Sequence, residues 1–138
     1  MTLRLLLLGC MLGLTGAAHA ALPNEPVERI DLGRYLGTWH EVARMPNRYK
    51  EDCVSGTTAT YLRGEDGEIV VRNACTTGDG ERISVDGVAR EVVSGSGNLQ
   101  VRFAPDWLAW LPVWADYWVL DLDPDYRWAV VGGPTRKF

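Results

Sequence analysis

The chain has 138 residues, 46% of them hydrophobic and 23% charged, which is enough for one folded domain. Its formal net charge is −4, and its 14 basic residues are scattered rather than gathered in a run or stripe, which argues against a nucleic-acid partner. A negative surface also argues against docking on anionic lipid by charge, so any membrane contact has to be hydrophobic.

The first twenty residues read as a secretory signal peptide: Arg4, an apolar run from Leu5 to about Leu14, and Ala18-His19-Ala20 as the small-x-small cleavage pattern. Cleavage near Ala20 leaves a domain over 21–138. Leu7-Leu8-Gly9-Cys10 also resembles a lipoprotein cleavage box. The apolar run continues past Cys10, where a tether should be polar, and this favours the later site. The expected location is therefore exported. No later segment approaches about 18 unbroken apolar residues. Cys53 and Cys75 remain after cleavage, and an even pair in an oxidising compartment favours a disulfide over two separate buried thiols.

From there, short β-type runs alternate with turn signals. The first strand is predicted over Gly37–Met45, with Trp39, Glu41, Ala43 and Met45 on one face, ended by Pro46. A second runs from about Val54 to Arg63, and Gly64-Glu65-Asp66-Gly67 turns the chain. A third covers Glu68–Cys75 and a fourth Arg82–Val92, with Gly87 marking a bend. Ser94 to Asn98 form the next turn. The fifth strand spans Leu99–Phe103, with Leu99, Val101 and Phe103 on one face. The apolar loop 104–115 follows, then a sixth strand over Asp116–Leu122, a turn at Asp123-Pro124-Asp125, and a seventh strand over Arg127–Gly132.

Seven consecutive strands with short connections make an all-β, antiparallel up-and-down meander, and such a meander hides its edges best by curling into a barrel. About eight strands enclose room for one small ligand. In a meander the connections after strands one, three and five share one end. Cys53 and Cys75 therefore fall at the same end, although the register set by the Gly64–Gly67 turn is about three residues off and needs a bulge to let them bond.

Asp31-Leu32-Gly33-Arg34-Tyr35-Leu36-Gly37-Thr38-Trp39-His40-Glu41-Val42-Ala43-Arg44 closely resembles the first signature of the lipocalins, and most of all that of the bacterial lipocalins akin to apolipoprotein D. Thr58-Ala59-Thr60-Tyr61, Leu99 to Phe103 and Asp116 to Arg127 resemble later strands of that family, over about residues 29–138. In the second signature, Asp123-Pro124-Asp125 stands where the family usually has Thr-Asp-Tyr. The resemblance implies a ligand-holding barrel. The family pattern continues with an eighth strand and a C-terminal helix, and with the sequence ending at Phe138 these are expected to be missing. The resemblance further implies binding, storage or transport of fatty acids or lysophospholipids at the bacterial envelope.

The inward faces of the predicted strands place Ala43, Ala59, Tyr61, Val85, Val101, Phe103 and Trp118 in the cavity, with Glu41 as the polar exception. Gly37 is expected to let the chain pass close beneath Trp39, which plugs the barrel base. Glu41 is read either as an anchor for a ligand head group or as a structural partner of Tyr61 or a facing arginine. Trp107, Trp110 and Trp114 crowd an uncharged eight-residue stretch, 107–114, at the mouth. That stretch is expected to line the entrance as a lid, or to make a peripheral membrane contact or a homodimer. No enzyme, metal or cofactor is expected. His40, the single histidine left after cleavage, points outward, no Cys-x-x-Cys or Gly-rich phosphate loop occurs, and Ser94-Gly95-Ser96-Gly97 reads as a turn.

Overall fold

The computed structural model describes residues 22–46, 51–103 and 113–135. The signal-peptide reading, the Cys10 alternative, and Trp107 and Trp110 all lie outside the described residues. A single helical turn, α1 (Leu32–Tyr35), precedes seven strands: β1 (Gly37–His40), β2 (Cys53–Arg63), β3 (Ile69–Thr77), β4 (Arg82–Glu91), β5 (Asn98–Arg102), β6 (Ala115–Leu122) and β7 (Ala129–Gly132). Every strand pairs antiparallel with its sequence neighbours, in the order β1 to β7, as the expected meander requires. β1 and β7 form the two edges of this curled, incomplete barrel.

The core follows the alternation of the strands. Tyr61 lies opposite Val71 in the register of β2 and β3, and Val71 opposite Gly87 in that of β3 and β4. Leu99, Val101 and Val119 continue the inward face around the sheet, with Val71 and Val119 almost wholly enclosed. The Asp66-Gly67 turn forms as read, with Gly67 at positive φ.

One end of the sheet is closed by the N-terminal segment. Val27 N–H donates to Val119 O at 2.8 Å, Gly97 N–H donates to Val27 O at 2.8 Å, and Val119 N–H donates to Gly97 O at 2.9 Å. Ile30 N–H donates to Gly95 O. Asp31 then caps α1, its carboxylate accepting from Arg34 N–H, while its own N–H donates to the Tyr126 hydroxyl at 2.8 Å. The Arg34 guanidinium lies 4.3 Å from the centre of the Tyr126 ring. The connections after β2, β4 and β6 share this closed end, and those after β1, β3 and β5 share the opposite end.

The Cys53–Cys75 disulfide is present, with the Cα atoms 5.5 Å apart. The anticipated slip is there too: the β2–β3 ladder shifts register between Cys53 and Ser55 and again between Ser55 and Thr58. Cys53 opens β2 rather than lying in the preceding loop.

Two expectations are corrected here. β1 stops at His40 instead of running to Met45, and residues 41–46 have no regular structure. Glu41 still donates its N–H to Thr57 O of β2, and the Arg44 side chain reaches Cys53 O at the start of that strand. Gly37 is not a point of close approach, since a Cβ there would meet nothing within 4 Å. Glycine is needed because φ is +113°, a conformation that residues with side chains avoid.

Two stability predictions follow from these contacts. A Cβ on Gly97 would lie 2.6 Å from Val27 Cγ2 and 2.7 Å from Val119 O. We expect Gly97→Ala to cost about 1–3 kcal/mol, read as a lower urea midpoint at unchanged slope; a midpoint equal to the parent's would mean the strap is not seated there. The disulfide joins residues 22 apart. Replacing both cysteines by alanine should cost about 3 kcal/mol on the chain-entropy model, measured the same way.

Candidate functional site

The concave face of the sheet encloses a hollow of about 930 Å³, within the range of small-molecule sites. Its closed end is aromatic. α1 sets Tyr35 down on Trp39, with ring centres 4.8 Å apart, and Trp39 Nε1–H donates to Tyr35 O at 2.8 Å. Tyr61 from β2 lies 5.5 Å from Tyr35 and 5.9 Å from Tyr117 of β6, centre to centre. The three phenols meet oxygen to oxygen. The Tyr61 hydroxyl donates to Tyr117 Oη at 2.7 Å, and the Tyr35 and Tyr117 hydroxyls are bonded at 2.8 Å.

Burial is the main cause that pushes all three phenols above their ordinary value of 10.0, Tyr117 well above it. The hydrogen bond to Tyr117 partly offsets the rise in Tyr35 and Tyr61, whereas in Tyr117 the neighbouring phenols add to it. The hollow therefore ends in neutral hydroxyl groups at physiological pH.

Towards the mouth the wall becomes polar and then charged. Thr57, Ala59 and Asn73 line its middle, and Glu41, Ala43, Arg44 and Met45 line its rim. Arg44 Nη1 donates to Glu41 Oε1 at 2.7 Å, and its Nη2 to Cys53 O at 2.9 Å. Of the two structural roles read for Glu41, the arginine partner is the one observed, from the same segment at i+3 rather than from a facing strand.

Of the residues expected to contact ligand, Glu41, Ala43, Ala59, Tyr61, Val101 and Phe103 lie on the wall of the hollow. Val85 does not. It shares the inward face through its pairing with Asn73, but it is 48% exposed. Phe103 packs against Gly87, where a Cβ would come within 2.6 Å of the ring, and Val85 is left on the mouth side of it. Trp118 does not line it either. Tyr117 pairs with Leu99, and Ala115 with Val101, so the odd positions of β6 face inward and Trp118 faces out. Asp116 carried the signal for that phase. Asp121 contradicts it because the ladder slips between Val119 and Asp121.

Tyr35 and Tyr117 are among the wall residues that sequence reasoning missed, with Thr57, Val71, Asn73 and Leu120. Tyr35 precedes the first strand, and Tyr117 sits one position from the tryptophan chosen instead. Of the tryptophan-rich stretch, Trp114 is described. It lies next to the outward face of the sheet, with the Arg90 and Arg102 guanidinium carbons 4.0 and 4.9 Å from its ring centre.

The family model for the lipocalin-like domain matches residues 30–138. This chain belongs to the lipocalin family. Its relatives include temperature-induced lipocalin-1 of Arabidopsis thaliana (38% identical, covering 83% of this chain and 62% of the relative) and the outer membrane lipoprotein Blc of Citrobacter freundii (37% identical, 81% and 60%). Apolipoprotein D of Cavia porcellus is 33% identical over 91% of this chain and 67% of its own length. This lipocalin thus spans about three-fifths of the first two relatives. Among solved structures, the cockroach allergen Per a 4 shares the fold, with a TM-score of 0.58 at 21% identity over 79% of this chain and 62% of the allergen.

The phenol cluster has a measurable consequence. The unfolded chain releases its phenolic protons near pH 10, whereas the folded chain retains three of them. Their contribution to stability is complete below that value and is lost as pH rises beyond it. We expect the urea midpoint to fall steeply above pH 10, and three of the five tyrosines to resist ionisation near pH 10 by ultraviolet absorbance. Five tyrosines titrating together near pH 10 in the folded protein would contradict the buried cluster.

Proposed function

We propose that this lipocalin is a binding protein that stores or carries elongated hydrophobic ligands, such as fatty acids or lysophospholipids, at the bacterial cell envelope in support of membrane maintenance. The observation that carries this reading is the hollow of about 930 Å³, closed by aromatic rings at one end and, among the described residues, bordered by charge only at the other. An acyl chain laid along it gains roughly 0.8 kcal/mol for each CH₂ taken out of water, so long chains bind without an ion pair. The charged or zwitterionic head group stays at the rim beside Glu41 and Arg44, where water keeps it solvated.

The leader-like first twenty residues and the relatives named outer membrane lipoproteins support an exported, envelope-associated protein. Docking of the stretch 107–114 on a membrane or a second copy is the rival reading. Of the two described residues of that stretch, Val113 is exposed but Trp114 has its ring taken up by Arg90 and Arg102, and so ligand binding is favoured.

The test is titration of the delipidated protein with a fluorescent acyl probe. We expect saturable quenching of tryptophan emission at about micromolar probe. Ala59→Phe, which fills the wall opposite Trp39, should weaken binding by about tenfold or more with an unchanged circular dichroism spectrum. Absence of quenching in the parent, or full affinity in Ala59→Phe, would reject the proposal.

A further inference from the structure

The three phenols at the closed end carry three O–H donors but share only two hydrogen bonds. Tyr61 donates to Tyr117, and one proton bridges Tyr117 and Tyr35. If Tyr117 donates to Tyr35, the Tyr35 proton remains. If Tyr35 donates instead, the Tyr117 proton remains. Either way one O–H has no acceptor among the described residues, and all three side chains border the hollow. A buried donor left without an acceptor is costly, so an oxygen brought to this end relieves that cost.

The charge distribution decides which oxygen. The described charged groups on the wall of the hollow, Glu41 and Arg44, stand at the rim with His40 beside them, and the phenols keep their protons because burial resists their ionisation. A carboxylate pushed down to the phenols would lose its water for one neutral hydrogen bond, which does not compensate it. A methyl end leaves the phenolic proton facing carbon. An uncharged acceptor fits both constraints.

We propose that the closed end is a subsite for a neutral oxygen acceptor, so that this lipocalin selects chains carrying a hydroxyl or ketone oxygen at the end remote from the head group. This rests on the ligand-binding reading above and names the ligand class for it. An acyl chain hydroxylated at its far terminus then meets both ends of the hollow, its carboxylate at the rim and its hydroxyl at the phenols.

The phenol count shapes the test. A chain of hydroxyls always keeps one spare proton, so a single Tyr→Phe change moves the free donor instead of removing it. Only the triple variant Tyr35→Phe/Tyr61→Phe/Tyr117→Phe removes it, and it does so at nearly constant shape. Affinities of the full-length protein would be measured for hexadecanoate and for its terminally hydroxylated and terminal methyl-ketone counterparts.

The parent and Tyr61→Phe should both favour the two oxygenated probes over hexadecanoate, after allowing for their higher solubility in water, by about tenfold. In the triple variant the preference should vanish, read as the ratio of the oxygenated probes to hexadecanoate measured on that same variant. If hexadecanoate binds the parent but the corrected ratio is the same in all three proteins, the subsite is rejected and the general binding reading survives. If none of the probes binds the parent, both fall. The ligand series on the parent decides the matter even if the triple variant fails to fold: the ketone, an acceptor with no proton to give, must match the hydroxyl, and a ketone no better than hexadecanoate overturns the proposal.

Discussion

A curled sheet has two rims, and it can retain a ligand only if one of them is shut. Here the shutter is made from the chain's own N-terminal segment, and α1 is too short to hold itself: four residues form one turn, with a nucleation cost that its few internal bonds do not repay. Tertiary contacts do the work. Val27 joins the backbone between Gly97 and Val119, Ile30 bonds Gly95, and Asp31 and Arg34 grip Tyr126. These partners come from the connections after β4 and β6 and from β6 itself, so the closed end exists only once distant parts of the meander have come together. Tyr35 rides on this turn, and its ring in turn supports Trp39.

Charge is kept out of the hollow at that closed end, among the described residues. Arg72 and Asp86 face each other across β3 and β4 on the outside, each held further into its charged range by the hydrogen bonds between them. Arg127 does the same for Asp123 in the β6–β7 turn, where Tyr126 adopts positive φ to present its ring to Arg34. The exposed Arg72–Asp86 pair adds little to stability, whereas Arg127 satisfies a buried Asp123 carboxylate. Their larger effect is on placement. Formal charge is spent on the outer surface and on the rim pair of Glu41 and Arg44, and the depth of the hollow is left to phenols and hydrocarbon.

Much of this architecture was legible in the sequence because alternation and turn chemistry are local signals. The seven strands, their antiparallel order, the Asp66-Gly67 turn and the need for a bulge beside Cys53 all follow from residues within a few positions of one another. What failed was phase and extent. In β6 the aromatic pair Tyr117-Trp118 offers two equally apolar faces, and the slip beyond Val119 puts Asp116 and Asp121 out of step, so alternation alone cannot choose. β1 was overextended because Glu41 to Met45 alternate well, yet the ladder with β2 ends at His40↔Thr58, just where the shifts in β2 begin. Val85 was placed on the correct face but at the wrong depth. Depth depends on how Phe103 packs over Gly87, which is a contact between strands rather than a pattern within one.

The phenol cluster could not be read from the sequence at all, for a reason that also explains its usefulness. Tyr35, Tyr61 and Tyr117 belong to the N-terminal turn, β2 and β6, and no spacing rule connects them. They meet only where the closed end is fully assembled. A serine or asparagine there could donate a similar bond but would give up the apolar ring that seals the floor, and a lysine would bring a charge that has no partner at that depth. Tyrosine supplies bulk and a single donor in one residue, and burial keeps that donor protonated well into the alkaline range. The hydroxyl network is therefore both a product of correct folding and a polar feature deep in the hollow. A chain whose N-terminal strap has come loose would lose Tyr35 from the floor and from the network together.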